Sequence, residues 1–169
     1  MKFAGILLDS GWNSSINMPH KVNIRSSVQI DSESLEAINK KLRTFNQKAN
    51  PEFWSKLEQK ENEALPLHII ATDENDNVVG GLIGSSQFAW MKINIMAVDE
   101  DHRYQGIGTS LVRRAEEIAR ERDCRYVYLD TMAYQSPEFY RKHDYKEICE
   151  IPDWDSLGQS KFLFSKELK

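Results

Sequence analysis

Six residues, RYQGIG at 103–108, constrain this chain more than any other stretch. An apolar run, INIMAV (93–98), leads into them, and TSLVRRAEEIARER (109–122) leaves them with helical spacing. Two glycines, Gly106 and Gly108, thus stand where a strand becomes a helix. The first N–H groups of a helix have no intrahelical partner and carry positive potential. Glycines let such groups fold around an anion that side chains would otherwise keep out. Arg103 and Gln105 can add donors at the mouth of such a loop. The other reading of an isolated Gly-x-Gly is a tight turn with no ligand. A dinucleotide fingerprint needs a third glycine where Leu111 stands, and a phosphate loop needs Gly-Lys-Ser/Thr, which is absent.

The flanking pattern predicts the rest of the fold. DSESLEAINKKLRTFNQKA (31–49) reads as a helix with Asp31 or Ser32 as N-cap and an apolar face of Leu35, Ile38, Leu42 and Phe45. Asn50-Pro51 ends it, and PEFWSKLEQKEN starts a second, short helix. LPLHIIATD, the turn ENDN and VVGGLIGSSQ form a hairpin; FAWMKINIMAV is a third strand, alternating at Met91, Ile93 and Ile95. The helix after the glycine loop buries Leu111, Val112, Ala115, Ile118 and Ala119 and turns arginines and glutamates outward. CRYVYLDTM is a strand, SPEFYRKHDY a short helix with Ser136 as N-cap and Pro137 as N1, and KEICEI and SKFLFSKEL close the chain as strands. This order predicts a mixed α/β fold on one sheet, with a parallel crossover at the glycine loop. The 169 residues suit a single domain over 1–169, with 1–21 as an irregular arm and KVNIRSS as a candidate edge strand.

Composition narrows the classes. Net charge is −4, which argues against a general nucleic-acid binder. Two cysteines without CxxC spacing and four scattered histidines give no metal pattern and no disulfide framework. The amino-terminal apolar run is too short for a signal core or a membrane span. A cytoplasmic protein with free thiols, no metal and no membrane or nucleic-acid partner is expected.

VDEDHRYQGIGTSLVRRAEEIARERDCRYVYLDT…SPEFYRKHDY resembles the GNAT family, the GCN5-related N-acetyltransferases. Their Arg/Gln-x-x-Gly-x-Gly/Ala signature is intact as Arg103, Gly106 and Gly108, and their Phe-Tyr helix as Phe139-Tyr140. The resemblance spans roughly residues 66–145 and the closing strands. It implies a GNAT-like acyl-CoA N-acyltransferase fold: a mostly antiparallel mixed sheet with a splayed parallel pair, flanked by helices. It also implies transfer of an acetyl group from acetyl-CoA to a primary amine within a ternary complex.

Carried over by position, the resemblance puts the pyrophosphate on Arg103, Tyr104, Gln105, Gly106, Ile107, Gly108 and Thr109. It puts the pantetheine arm along Met96, Ala97 and Val98, with a main-chain N–H near Val98 on the thioester carbonyl, and a further contact at Gln135, where asparagine is usual. Tyr140 becomes the general acid. Asp130 is the first candidate base, beside Glu100, Asp99 or a chain of waters. Tyr104 and Asp144 stand where relatives often have glycine.

The acceptor site is expected opposite the cofactor, with walls from the early helices, Phe88, Trp90 and Trp154. Its charge is expected from Glu100, Asp130, Asp153 and Asp155, which would suit a cationic amine. A small amine, of polyamine or aminoglycoside type, is the first acceptor class, and a peptide N-terminus or lysine the second. Rival readings are an inactive coenzyme A-binding sensor and a nucleic-acid-associated protein. A homodimer is an admissible assembly.

Overall fold

The computed structural model describes residues 22–169, and the arm expected at 1–21 lies outside them. Two compact units divide the chain at Trp54–Ser55. In the first, α1 (Ser32–Ala49) begins at Asp31, whose carboxylate accepts the Ser34 N–H at 2.7 Å, the expected N-cap. Asn50 then caps α2 (Pro51–Leu57) by accepting the Phe53 N–H. The candidate edge strand in KVNIRSS is not formed: residues 22–28 pair with no ladder.

The second unit holds one six-stranded sheet in the order β1-β2-β3-β4-β6-β5. Its strands are β1 (Leu65–Thr72), β2 (Val78–Gln87), β3 (Trp90–Val98), β4 (Tyr126–Met132), β5 (Lys146–Ile151) and β6 (Lys161–Glu167). Only β3 and β4 run parallel, joined by α3 (Ile107–Glu121); α4 (Pro137–Lys142) follows β4. The predicted turn at ENDN forms through Asp73, which accepts the N–H groups of Asn75 and Asn77 at 2.8 Å.

Two local features depart from expectation. Phe88 and Ala89 are not strand residues but the two-residue turn between Gln87 and Trp90, with Phe88 at φ 52°. In β3 the register slips: Ile93 faces Gly84 while Ile95 faces Ile83, so Asn94 is a bulge residue. The bulge reverses the side-chain phase. Met91 and Ile93 are buried against α3, whereas Ile95 is 58% exposed on the opposite face.

α3 lies against β1, β2 and β3 and buries Leu111, Val112, Ala115 and Ala119 as expected. It also buries Glu116, which charge patterning had placed on the surface; the side chain is 5% exposed and accepts from Lys166 Nζ at 2.9 and 3.0 Å. Pairing makes this burial tolerable. Both α3 and α4 end in a Schellman arrangement with aspartate in the left-handed position, Asp123 (φ 57°) and Asp144 (φ 63°). The Cys124 and Tyr145 N–H groups reach back to Ala119 and Tyr140 carbonyls.

Candidate active site

β3 and β4 pair only from Trp90–Tyr126 to Ile93–Leu129. Beyond that point β3 runs on to Val98, held by β2, and β4 runs on to Met132, held by β6. The two strands therefore part in mid-sheet and leave a wedge between their carboxyl-terminal halves. The Asp99 N–H is taken by Val79 O on the β2 side. Amide direction alternates along a strand, so Ala97 also faces β2, while Met96 and Val98 turn their main-chain groups into the wedge. Arg103 Nε confirms this for Val98 by donating to its carbonyl at 3.3 Å.

The glycine loop closes the wide end. Gly106 is the N-cap of α3 at φ 86°, with open space where a Cβ would stand. The first N–H bonded back across the helix start is that of Ser110, to Gly106 O at 3.0 Å. The N–H groups of Ile107, Gly108 and Thr109 precede it and form the orphan set of a helix start. Gly108 serves packing instead: a Cβ there would meet the Phe139 ring at 3.4 Å and Val98 Cγ2 at 3.8 Å. Gln105 donates to Asp101 O and so braces the loop. Tyr104 lies at φ 62° with its side chain fully exposed to solvent.

Tyr140 sits in α4 beside this loop, through Phe139. It is 7% exposed, and its ring meets Phe139, Tyr145 and Phe164. Burial pushes its phenol up to about 12. His143 binds Thr109 Oγ1 through Nε2 at 3.1 Å and lies against Phe139, tying the end of α4 to the first turn of α3. Burial, with Lys166 as second cause, lowers the proton affinity of His143. Ser136 is the N-cap of α4, but at φ 86° its side chain caps nothing. Gln135 turns back to accept the Met132 N–H at 2.9 Å.

Three of the acids expected at the acceptor site have partners of their own. Asp130 pairs with Lys161 at 2.9 Å, and Lys161 Nζ also sits 4.4 Å above the Trp154 ring. Asp153 accepts the Gly158 N–H, and Asp155 those of Leu157 and Gln159, so both hold the β5–β6 loop. Lys161 stands opposite Met132, a diagonal neighbour of Asp130 across β4 and β6, a proximity no spacing reveals. Two arginines of the crossover are engaged in the same way. Arg114 pairs with Glu117 and Glu121, and Arg122 clamps the Leu65 and Pro66 carbonyls. Among the described residues no cluster of three or more His, Cys, Asp or Glu could hold a metal ion, and no helix is long and apolar enough to cross a membrane.

The sequence model of the acetyltransferase (GNAT) family matches residues 35–145. A blasticidin-S acetyltransferase from Streptomyces morookaense is 33% identical over 132 residues, covering 76% of this chain and 96% of that protein. The crystal structure of an acetyltransferase from Bacillus cereus is 28% identical with a TM-score of 0.68, covering 85% of this chain and 98% of that one. An aminoglycoside 6′-N-acetyltransferase, solved with coenzyme A, shares the fold at 20% identity and a TM-score of 0.56, over 70% of this chain and 79% of that one.

Proposed function

Because the chain belongs to the GNAT acetyltransferase family, we propose that it transfers an acetyl group from acetyl-CoA to a primary amine of a small molecule, by direct attack. The observation that carries this reading is the wedge. β3 and β4 separate after Ile93 and Leu129, and the free amides of the α3 start stand at its wide end. The residues present fit the donor. Ile107, Gly108 and Thr109 offer N–H groups to a pyrophosphate, and Gly106 leaves the approach open. Met96 and Val98 offer main-chain partners to an extended amide-bearing arm, which would add to the sheet as a strand does.

In the reaction the amine nitrogen bonds to the thioester carbonyl carbon, the carbon–sulfur bond breaks, and sulfur leaves with the electron pair. Tyr140 supplies the proton that sulfur takes up. The amine proton departs to water or to Asp130. The Asn94 bulge stands where the strands part, four residues before the expected Val98. Its displaced main chain is suited to polarising the carbonyl. The small-molecule acceptor is supported by the blasticidin-S acetyltransferase, which the chain covers almost end to end. Two free cysteines, Cys124 buried and Cys149 exposed, suit a reducing cytoplasm, which we propose as the compartment.

The test is free-thiol release from acetyl-CoA across a panel of small primary amines, alongside calorimetry with coenzyme A. Amine-dependent release, with coenzyme A binding weakened at least tenfold by Gly106→Val, is expected. Binding of coenzyme A without any amine-dependent release would favour a sensor instead. No binding at all would remove the donor assignment.

A further inference from the structure

On the sheet face opposite α3, a cavity of about 580 Å³ lies beside the narrow end of the wedge. That is within the roughly 300–1,000 Å³ usual for small-molecule sites. Trp90, 43% exposed, forms its aromatic wall. The ring is held rigid by stacking on Tyr126 at 4.5 Å and by an edge contact with Tyr128 at 5.8 Å. Ser85, Gln87 and Ser165 supply neutral hydrogen-bonding groups.

One lining residue carries a formal charge, and it is a cation, Lys92. Its Nζ lies 6.0 Å from the Tyr128 ring centre, and among the described residues it makes no ion pair. Lys161, by contrast, is neutralised by Asp130. Lys92 also stands one residue before the point where β3 and β4 part. A ligand gripped at Lys92 is therefore placed with its other end toward the wedge.

Resting on the acetyltransferase reading above, we propose that this cavity is the acceptor site and that Lys92 selects amines that also carry an acid group. The acceptor is a compact molecule with a flat or apolar body against Trp90, an anionic group on Lys92, and the reacting amine toward the wedge. A purely cationic polyamine is disfavoured, because its charges would face an uncompensated ammonium.

The test uses two probes of equal shape, 4-(aminomethyl)benzoic acid and 4-(aminomethyl)benzamide, on the full-length protein. The wild type should acetylate the acid with kcat/KM at least tenfold above the amide. Lys92→Met should erase that preference by lowering the acid's value alone, with KM for acetyl-CoA unchanged. Calorimetry with coenzyme A bound should show the same loss for the acid. Lys92→Arg should keep most of the preference. Equal use of both probes by the wild type, or a preference unaltered in Lys92→Met, overturns the Lys92 assignment while leaving the transferase reading intact. Absence of thiol release with every amine overturns both.

Discussion

Gly108 faces the Phe139 ring across little more than the room of one methyl group: a Cβ added at Gly108 would lie 3.4 Å from that ring. The two glycines of the loop therefore have different duties. Gly106 is required for its backbone, at φ 86° with space to spare, whereas a methyl group on Gly108 would meet Phe139 at ordinary contact distance. Gly106→Ala should destabilise by about 1 kcal/mol, the usual left-handed penalty for an L-residue. Gly108→Ala, a methyl at ordinary contact distance in a helix, should be neutral or stabilising by up to about 1 kcal/mol. Gly108→Leu should displace Phe139 and lower turnover. Chemical unfolding of the two alanine variants decides the matter, and equal losses would erase the distinction.

These duties also show what the sequence could and could not reveal. Gly106 was legible because one strand and one amphipathic helix flank it, and Leu111, Val112, Ala115 and Ala119 follow from period alone. The Asn94 bulge was not legible. Asn94 continues a run of alternating residues, and only the pairing of Ile93 with Gly84 and Ile95 with Ile83 exposes the extra position. The turn at Phe88-Ala89 lacks the Gly or Asn that usually marks a positive φ. Asp130 is legible as an acid at a strand end, but its partner Lys161 comes from a strand thirty-one positions later. Lys92 could have been placed on the face of Trp90, two residues before it, but its lack of a carboxylate is a property of the assembled sheet.

Glu116 is buried in the core, and Lys166 is the nearer of the two cations that pair with it. Deleting the cation leaves a carboxylate 5% exposed with only Arg120, at 3.8 Å, nearby. Breaking a buried pair typically costs about 3–5 kcal/mol. Lys166 itself retains 19% exposure, so Lys166→Met should fall at the low end, near about 3 kcal/mol. Glu116→Gln in the same background should recover part of that loss, because the amide needs no counter-ion. Urea unfolding of the single and double variants measures both terms. An additive double variant would mean the pair is uncoupled.

The acid role of Tyr140 has a distinct pH signature. Burial holds the phenol near about 12, so it stays protonated through the whole neutral range. A free thiol titrates near about 8.5, and transfer from so weak an acid looks uphill. Sulfur released within hydrogen-bond reach would share the desolvation, however, which raises both proton affinities and restores a closer match. Tyr140→Phe should lower kcat by about 10²–10⁴-fold with little change in acetyl-CoA affinity. In the wild type no loss of kcat assignable to this phenol should occur below about pH 11, given its value near 12. Stability carries the same sign. The folded value exceeds the unfolded one of about 10, so the contribution is complete below pH 10 and disappears as pH rises toward 12. Tyr140→Phe should flatten that part of the alkaline decline. A basic limb in kcat near pH 10 that vanishes in Tyr140→Phe would show a phenol titrating at its ordinary value, and so one not desolvated in the working enzyme.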